Sequence, residues 1–249
     1  MHDYIAVTSF SPRGYELYGR RFIMSFLEHW NIPLTAYFET DSPDLVHPRL
    51  TLRDLDRDAE RLEFLRRYDG PRFRGSPNDY ATQAIRFSHK VFAVTSPLPP
   101  TRWCLWIDAD VETFAPVTSE LLHVICPEDC SLSYLGRKDG DHSETGFVAY
   151  RLEDPNVLDM LAELRAIYTS GQLFTFGPRM RNDAALFDHV RSRVPATKQC
   201  DLSSGVSGTH VWPQTVLGRV MRHSKGQARK REIYGGTAAD PSPPAPTSR

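Results

Sequence analysis

The stretch Trp103-Cys104-Leu105-Trp106-Ile107-Asp108-Ala109-Asp110 carries an unbroken apolar run straight into two carboxylates one residue apart. A short uncharged run of this kind reads as a strand buried on both faces, in the middle of a parallel sheet. Asp108 then falls at the carboxyl edge of that sheet, where open α/β folds bind their ligands. In extended chain, side chains repeat every two residues, which would aim Asp108 and Asp110 to the same side. Two like charges side by side repel unless a cation lies between them. Oxygen donors favour a hard cation, Mg²⁺ or Mn²⁺. The alternative is a strand end followed by a solvated Asp-Ala-Asp turn. A D-x-D pair alone does not separate the two; the apolar run ahead of it favours the metal.

With 249 residues, 40% of them hydrophobic, the chain can bury one good core, and one domain is the expectation. A net charge of -1 gives no overall electrostatic case for nucleic acid or membrane. No stretch approaches the roughly 18 consecutive apolar residues of a membrane helix. Met1-His2-Asp3-Tyr4 leads into a strand-like segment without a basic leader or cleavage site, so the expected location is cytoplasmic. Cysteines stand at 104, 126, 130 and 200. Cys126 and Cys130 lack a second close pair, so reduced structural thiols are expected rather than a zinc site.

Working outward, Tyr4 to Phe10 reads as the first strand and ends in the turn signal Ser11-Pro12-Arg13-Gly14. Tyr15, Tyr18, Phe22, Phe26 and Trp30 recur at helical spacing, and 34–39 reads as the second strand. Strand, helix, strand at this spacing is a βαβ unit. Thr8, Ser9 and Phe10 thereby fall at a strand's carboxyl end, as Asp108 does. Residues 51–76 are highly charged and are expected to form a short solvated helix and a loop. Residues 80–94 carry one apolar helical stripe, with Arg86 and Lys90 four apart on another face. Like charges at that spacing cost about 0.3 kcal/mol in a free helix, which an anionic ligand or solvation would relieve.

After the Asp108-Ala109-Asp110 strand the spacing predicts a helix over 117–125 and a strand over 131–136. Ser143-Glu144-Thr145-Gly146 then runs into a further strand, its glycine allowing close backbone approach to a ligand. Pro155 opens a helix to about Ser170. Asn182 or Asp183 is a plausible N-cap of the next helix. Residues 213–220 read as one more short helix. Beyond it lie His223-Ser224-Lys225-Gly226 and Arg229-Lys230-Arg231, and the Gly, Ala, Pro and Ser content of 235–249 predicts a disordered tail.

In this order the features resemble the GT-A nucleotide-diphosphosugar glycosyltransferases, over roughly residues 4 to 231. The matching elements are Thr8-Ser9-Phe10 after the first strand, Asp108-Ala109-Asp110, the pair Glu144-Thr145-Gly146 and Asn182-Asp183, and His223-Ser224-Lys225-Gly226. The arrangement is most similar to the family 8 type, and more loosely to uncharacterised phage and bacterial glycosyltransferases. The resemblance implies a Rossmann-like α/β domain over 1–234, with a mostly parallel central sheet flanked by helices. It implies Mn²⁺ or Mg²⁺ on Asp108, Asp110 and His223, and a nucleotide-diphosphosugar donor. The donor would be held by Thr8, Ser9, Phe10, Asp108, Lys225 and Gly226, with Arg86 and Lys90 as further charge. Glu144 and Asp183 become the candidate catalytic residues facing the donor sugar. Family 8 enzymes usually carry Asn-Ala-Gly and Asp-Gln-Asp where this chain has Glu144-Thr145-Gly146 and Arg181-Asn182-Asp183, which leaves sugar, acceptor and stereochemical course open.

The chemistry is consistent on its own terms. A nucleoside diphosphate departs with growing negative charge, which a divalent cation stabilises by several kcal/mol. A second class of function is nucleic-acid binding, through Arg222, Lys225, Arg229, Lys230 and Arg231. As a sole function it leaves Asp108 and Asp110 unexplained, since both would repel phosphates. A glycosyltransferase acting on a hydroxylated base in phage DNA would use both features; a saccharide or small-molecule acceptor remains equally open. A nucleotidyltransferase also needs carboxylates and Mg²⁺, but no Gly-rich, Lys-containing loop follows the first strand.

Overall fold

A computed structural model describes residues 2–70, 73, 83–139 and 142–224. Its centre is the strand β4 (Thr101–Ile107), laid parallel to β1 (His2–Phe10), with Ile5 opposite Cys104 and Val7 opposite Trp106. β1 pairs in turn with β2 (Leu34–Phe38), and β2 with β3 (Leu50–Asp54), both parallel. On the other side of β4, β7 (Glu144–Arg151) runs antiparallel. β6 (Leu132–Leu135) lies antiparallel to β7, and β8 (Gln199–Asp201) parallel to β6. The order β3-β2-β1-β4-β7-β6-β8 makes a seven-stranded, mostly parallel sheet. β5 (Val111–Thr113) and β9 (Met221–His223) form a separate antiparallel pair.

The apolar runs are buried on both faces, as their composition requires. Ile5, Val7, Cys104, Trp106, Val148 and Tyr150 belong to one core cluster; Ala6, Trp103, Leu105, Ile107, Phe147 and Ala149 belong to the other. Alternation along each strand sends successive side chains to opposite faces, and each face meets helices. Residues of α3 (Ala59–Tyr68), α4 (Ala84–Val94), α6 (Pro155–Thr169) and α7 (Asp183–Val190) pack in the first cluster. Residues of α2 (Arg20–His29), α5 (Ser119–Ile125) and the 3₁₀ turns at Trp212–Gln214 and Val216–Arg219 pack in the second. The expected α/β domain with a mostly parallel sheet, and 4–10, 34–39 and 103–108 as neighbouring strands, is what the chain forms.

Three details differ from expectation. The charged stretch after 50 contains β3, an edge strand, before its helix. The helix expected over 15–30 begins at α1 (Pro12–Gly14), passes through a π-helical turn at Tyr15–Gly19 and continues as α2. The segment 213–220 makes two 3₁₀ turns instead of one helix. The four cysteines are free thiols, and burial pushes Cys104 up to about 12, as suits a structural thiol. The tail at 235–249 lies outside the described residues.

Candidate active site

The chain turns sharply after β4. Asp108 N still donates to Gly146 O on β7 at 2.8 Å, and Val111 N returns to Asp108 O at 3.0 Å. Asp108 and Asp110 therefore bracket a turn, and do not share one side of an extended strand. The chain then enters β5, whose partner β9 places His223 opposite Val111. Ser224 N donates to Asp110 O at 3.1 Å and closes the arrangement. This short ribbon brings His223 to the carboxylates from the far end of the sequence.

His223 Nε2 lies 3.1 Å from Asp110 Oδ1 and 3.8 Å from Asp108 Oδ2. One potential ligand atom from each of the three residues falls within 4.8 Å of the others. Two carboxylates and an imidazole at this spacing fit a hard divalent cation with bonds of about 2.1 Å. Asp108 keeps 33% of its side chain exposed, so the cluster is open to solvent on that side. Burial opposes a charge on His223, but Asp110, Glu144 and Asp108 outweigh it and raise the imidazole to about 9. Without a cation the ring carries its proton and bridges the acids.

Glu144 lies behind that ring. Its side chain is 1% exposed, and Oε1 faces His223 Nδ1 at 3.1 Å and His210 Nδ1 at 3.2 Å. Val211 N donates to Oε2 at 3.3 Å, and Arg137 stands 3.6 Å away. The expected opening of Glu144 onto a donor sugar is not what the geometry offers; the carboxylate is sealed against two histidines. Gly146 also has a different purpose from the one expected. A Cβ there would meet His223 Cε1 at 2.5 Å, so the glycine makes room for the imidazole.

A second buried group supports Asp108 from the opposite side. Trp106 Nε1 donates to Asp108 Oδ1 at 2.7 Å, and Lys90 Nζ reaches the same oxygen at 3.4 Å. Lys90 also donates to Asp183 Oδ2 at 2.7 Å and to the Thr145 carbonyl. Thr145 Oγ1 completes the set with a bond of 2.7 Å to Asp183. Burial disfavours both charges, yet Asp108 and Asp183 raise the Lys90 ammonium, and Lys90 holds the Asp183 carboxyl below its ordinary range. The helix cap belongs to Asn182, whose Oδ1 accepts from Ala185 N at 2.8 Å; Asp183 occupies the first turn. Arg86 does not join Lys90: it is exposed and donates to Gln83.

The first-strand residues divide. Thr8 is fully buried, its hydroxyl without a hydrogen-bond partner among the described residues, and Ser9 is part-exposed. Phe10 is buried with its ring 5.2 Å from that of Tyr15. Both rings line a recess of about 250 Å³ with Phe38 and the acids Glu16, Glu39, Asp41 and Asp44. The sequence reading missed this recess, though aromatic and acidic residues just after two adjacent strands were its available signal. Lys225 and Gly226 lie outside the described residues, directly after Ser224. So do Arg229, Lys230 and Arg231, while Arg222 is paired with Glu112 at 2.9 Å.

Fold and cluster together define a doubly wound α/β domain with an acid–acid–histidine group at its carboxyl edge. The sheet's order reverses between β1 and β4, and that switch point is where such folds bind ligands. Neither a protein-family model nor a curated protein sequence matches the chain. Among solved structures, a glycosyltransferase involved in the glycosylation of the major capsid of PBCV-1 aligns with 94% of this chain and 99% of its own, at 14% identity and a TM-score of 0.50. Mouse xyloside xylosyltransferase 1, in its apo form, aligns with 92% and 99% respectively, at 12% identity and a TM-score of 0.52. The chain thus shares its fold with glycosyltransferases. No helix among the described residues is long and apolar enough to cross a membrane.

Proposed function

We propose that the chain is a metal-dependent glycosyltransferase that moves a sugar from a nucleoside diphosphate to an acceptor hydroxyl. The observation that carries this is the convergence of Asp108, Asp110 and His223 at the switch point of a glycosyltransferase fold. These three would hold Mn²⁺ or Mg²⁺, which when bound neutralises charge on the departing diphosphate. Glu144 fixes the His223 ring and leaves Nε2 for the cation, as an orienting carboxylate does for a metal-bound histidine. Lys90 and Trp106 hold Asp108 in place.

Asp183 is the carboxylate we assign to the donor sugar. Lys90 and Thr145 keep it charged and fixed, which suits an electrostatic stabiliser of a cationic sugar or a base toward the acceptor. The recess between Phe10, Tyr15 and Asp41 suits a nucleoside: an aromatic wall for the base and carboxylates for ribose hydroxyls. Lys225 and Gly226, one and two residues beyond the Ser224 contact to Asp110, would reach the diphosphate.

The experiment is a screen of common nucleotide sugars for Mn²⁺-dependent hydrolysis by the full chain. At least one should be cleaved to nucleoside diphosphate and free sugar, and chelation should stop it. Hydrolysis of none, or hydrolysis indifferent to chelation, overturns the proposal.

A further inference from the structure

Beyond Glu144, at the edge formed by the carboxyl ends of β6 and β8 and the start of β7, lies a cavity of about 360 Å³. That volume falls within the range of small-molecule sites. It opens on the same edge of the sheet as Asp108. Among the described residues its walls contain two acids, each bonded to the frame through at least one oxygen. Asp201 Oδ1 accepts from Gly136 N at 2.8 Å, Ser203 N at 3.0 Å and Ser203 Oγ at 2.7 Å. Asp188 accepts from Ser143 N at 2.8 Å, Ser143 Oγ at 2.6 Å and Arg191 Nε at 2.8 Å. Arg191 is itself occupied, lying over the Tyr134 ring at 4.6 Å and donating to Gln199.

The other basic wall residues are less fully matched. Lys138 is exposed at the rim, and His142 stands 3.6 Å from the already engaged Asp188. Arg137 approaches Glu144 at 3.6 Å, but that carboxylate already faces His210, His223 and Val211 N. Arg137 lines the cavity with 20% of its side chain exposed. An anionic oxygen is the partner that best matches a guanidinium.

We propose that this cavity receives the acceptor and selects one that carries an oxyanion, a carboxylate or a phosphate, held by Arg137 and Lys138 with His142 beside them. The proposal rests on reading the chain as a sugar transferase. Arg137 and Ser143 line the cavity, and both border Glu144, the residue that orients His223. An acceptor anchored by its charge would therefore lie next to the support of the metal cluster, with its remaining hydroxyls free to turn toward the donor.

The test compares three probes on the full chain by calorimetric titration: methyl β-D-glucuronide, methyl β-D-glucoside 6-phosphate and the neutral methyl β-D-glucoside. At least one charged probe should bind about tenfold tighter than the neutral one or better. Whichever of the two binds tighter identifies the oxyanion. Arg137→Gln and the exposed Lys138→Glu should each abolish the preference. Equal binding of charged and neutral probes, binding of none, or a preference that survives both substitutions would overturn the proposal. Nucleotide-sugar hydrolysis on the same preparations keeps the two readings apart. Hydrolysis without charge preference removes the subsite and leaves the transferase; charge preference without any hydrolysis removes the acceptor role.

Discussion

Glu144 Oε1 lies 3.1 Å from Nδ1 of His223, while the opposite ring nitrogen lies 3.1 Å from Asp110. One imidazole thus joins a buried carboxylate to an open acidic pair. The hydrogen bond at Nδ1 decides which nitrogen is left for a cation and how the ring is aimed.

Glu144→Gln keeps the size of the side chain and removes its charge. Mn²⁺ affinity should fall by about tenfold to a hundredfold, as for lost orienting partners of metal-bound histidines. A Mn²⁺ titration of the folded variant measures this. Unchanged Mn²⁺ affinity with a large loss of turnover would instead return Glu144 to the chemistry.

The pH dependence follows from the His223 imidazole, raised from 6.5 to about 9 against its burial by Asp110, Glu144 and Asp108. Its folded value exceeds its unfolded one, so in metal-free protein its contribution to stability is fully present below about 6.5 and is lost as pH rises through about 9. A cation needs the neutral ring, so Mn²⁺ binding below about pH 9 should release about one proton and strengthen about tenfold for each unit that the pH rises toward that value. Titrations in buffers of different ionisation enthalpy count the proton. No proton release at pH 7 would contradict the bridged imidazolium.

Asp183→Asn leaves the helix cap intact, because Asn182 makes it. Lys90 keeps Asp108 and the Thr145 carbonyl as partners. The variant should fold and bind nucleoside diphosphate, with turnover reduced about a hundredfold or more through the missing charge. A wild-type rate would make Asp183 a purely structural partner of Lys90.

Gly146→Ala would press a methyl group against His223 Cε1, at 2.5 Å before any adjustment. The ring must move, since the backbone of residue 146 is held by the Asp108 amide and by the pairing of the next residue, Phe147, with Ile107. We expect a stability loss of about 1–3 kcal/mol by denaturant titration, and weaker Mn²⁺ binding than in Glu144→Gln. Wild-type Mn²⁺ binding would mean that the ring position is not what the glycine secures.

Much of this was legible in the sequence because its signal is chemical. Trp103 to Ile107 has no charge to place in water, so it had to be a central strand, and Asp108 had to mark its end. β3 was hidden for the opposite reason. Leu50-Thr51-Leu52-Arg53-Asp54 is a half-exposed edge strand, whose mixed composition blends with the charged residues that follow. His223 entered only through the family resemblance; nothing local in Met221-Arg222-His223 announces a ribbon with Val111. The burial of Glu144 was equally invisible, since an acid before a strand reads the same whether it faces water or two histidines. Asp183 could not be separated from Asn182 as a cap until the Ala185 amide chose between them.

The central claim is that Asp108, Asp110 and His223 hold a cation that binds a nucleoside diphosphate. Its most direct measurement is calorimetric titration of a panel of nucleoside diphosphates into the wild type and Asp110→Asn, each with Mn²⁺ and with chelator. We predict that at least one binds the wild type with Mn²⁺, and that chelation or the substitution weakens it by about a hundredfold. Binding that is identical with and without Mn²⁺, or absent for the whole panel, would contradict the account.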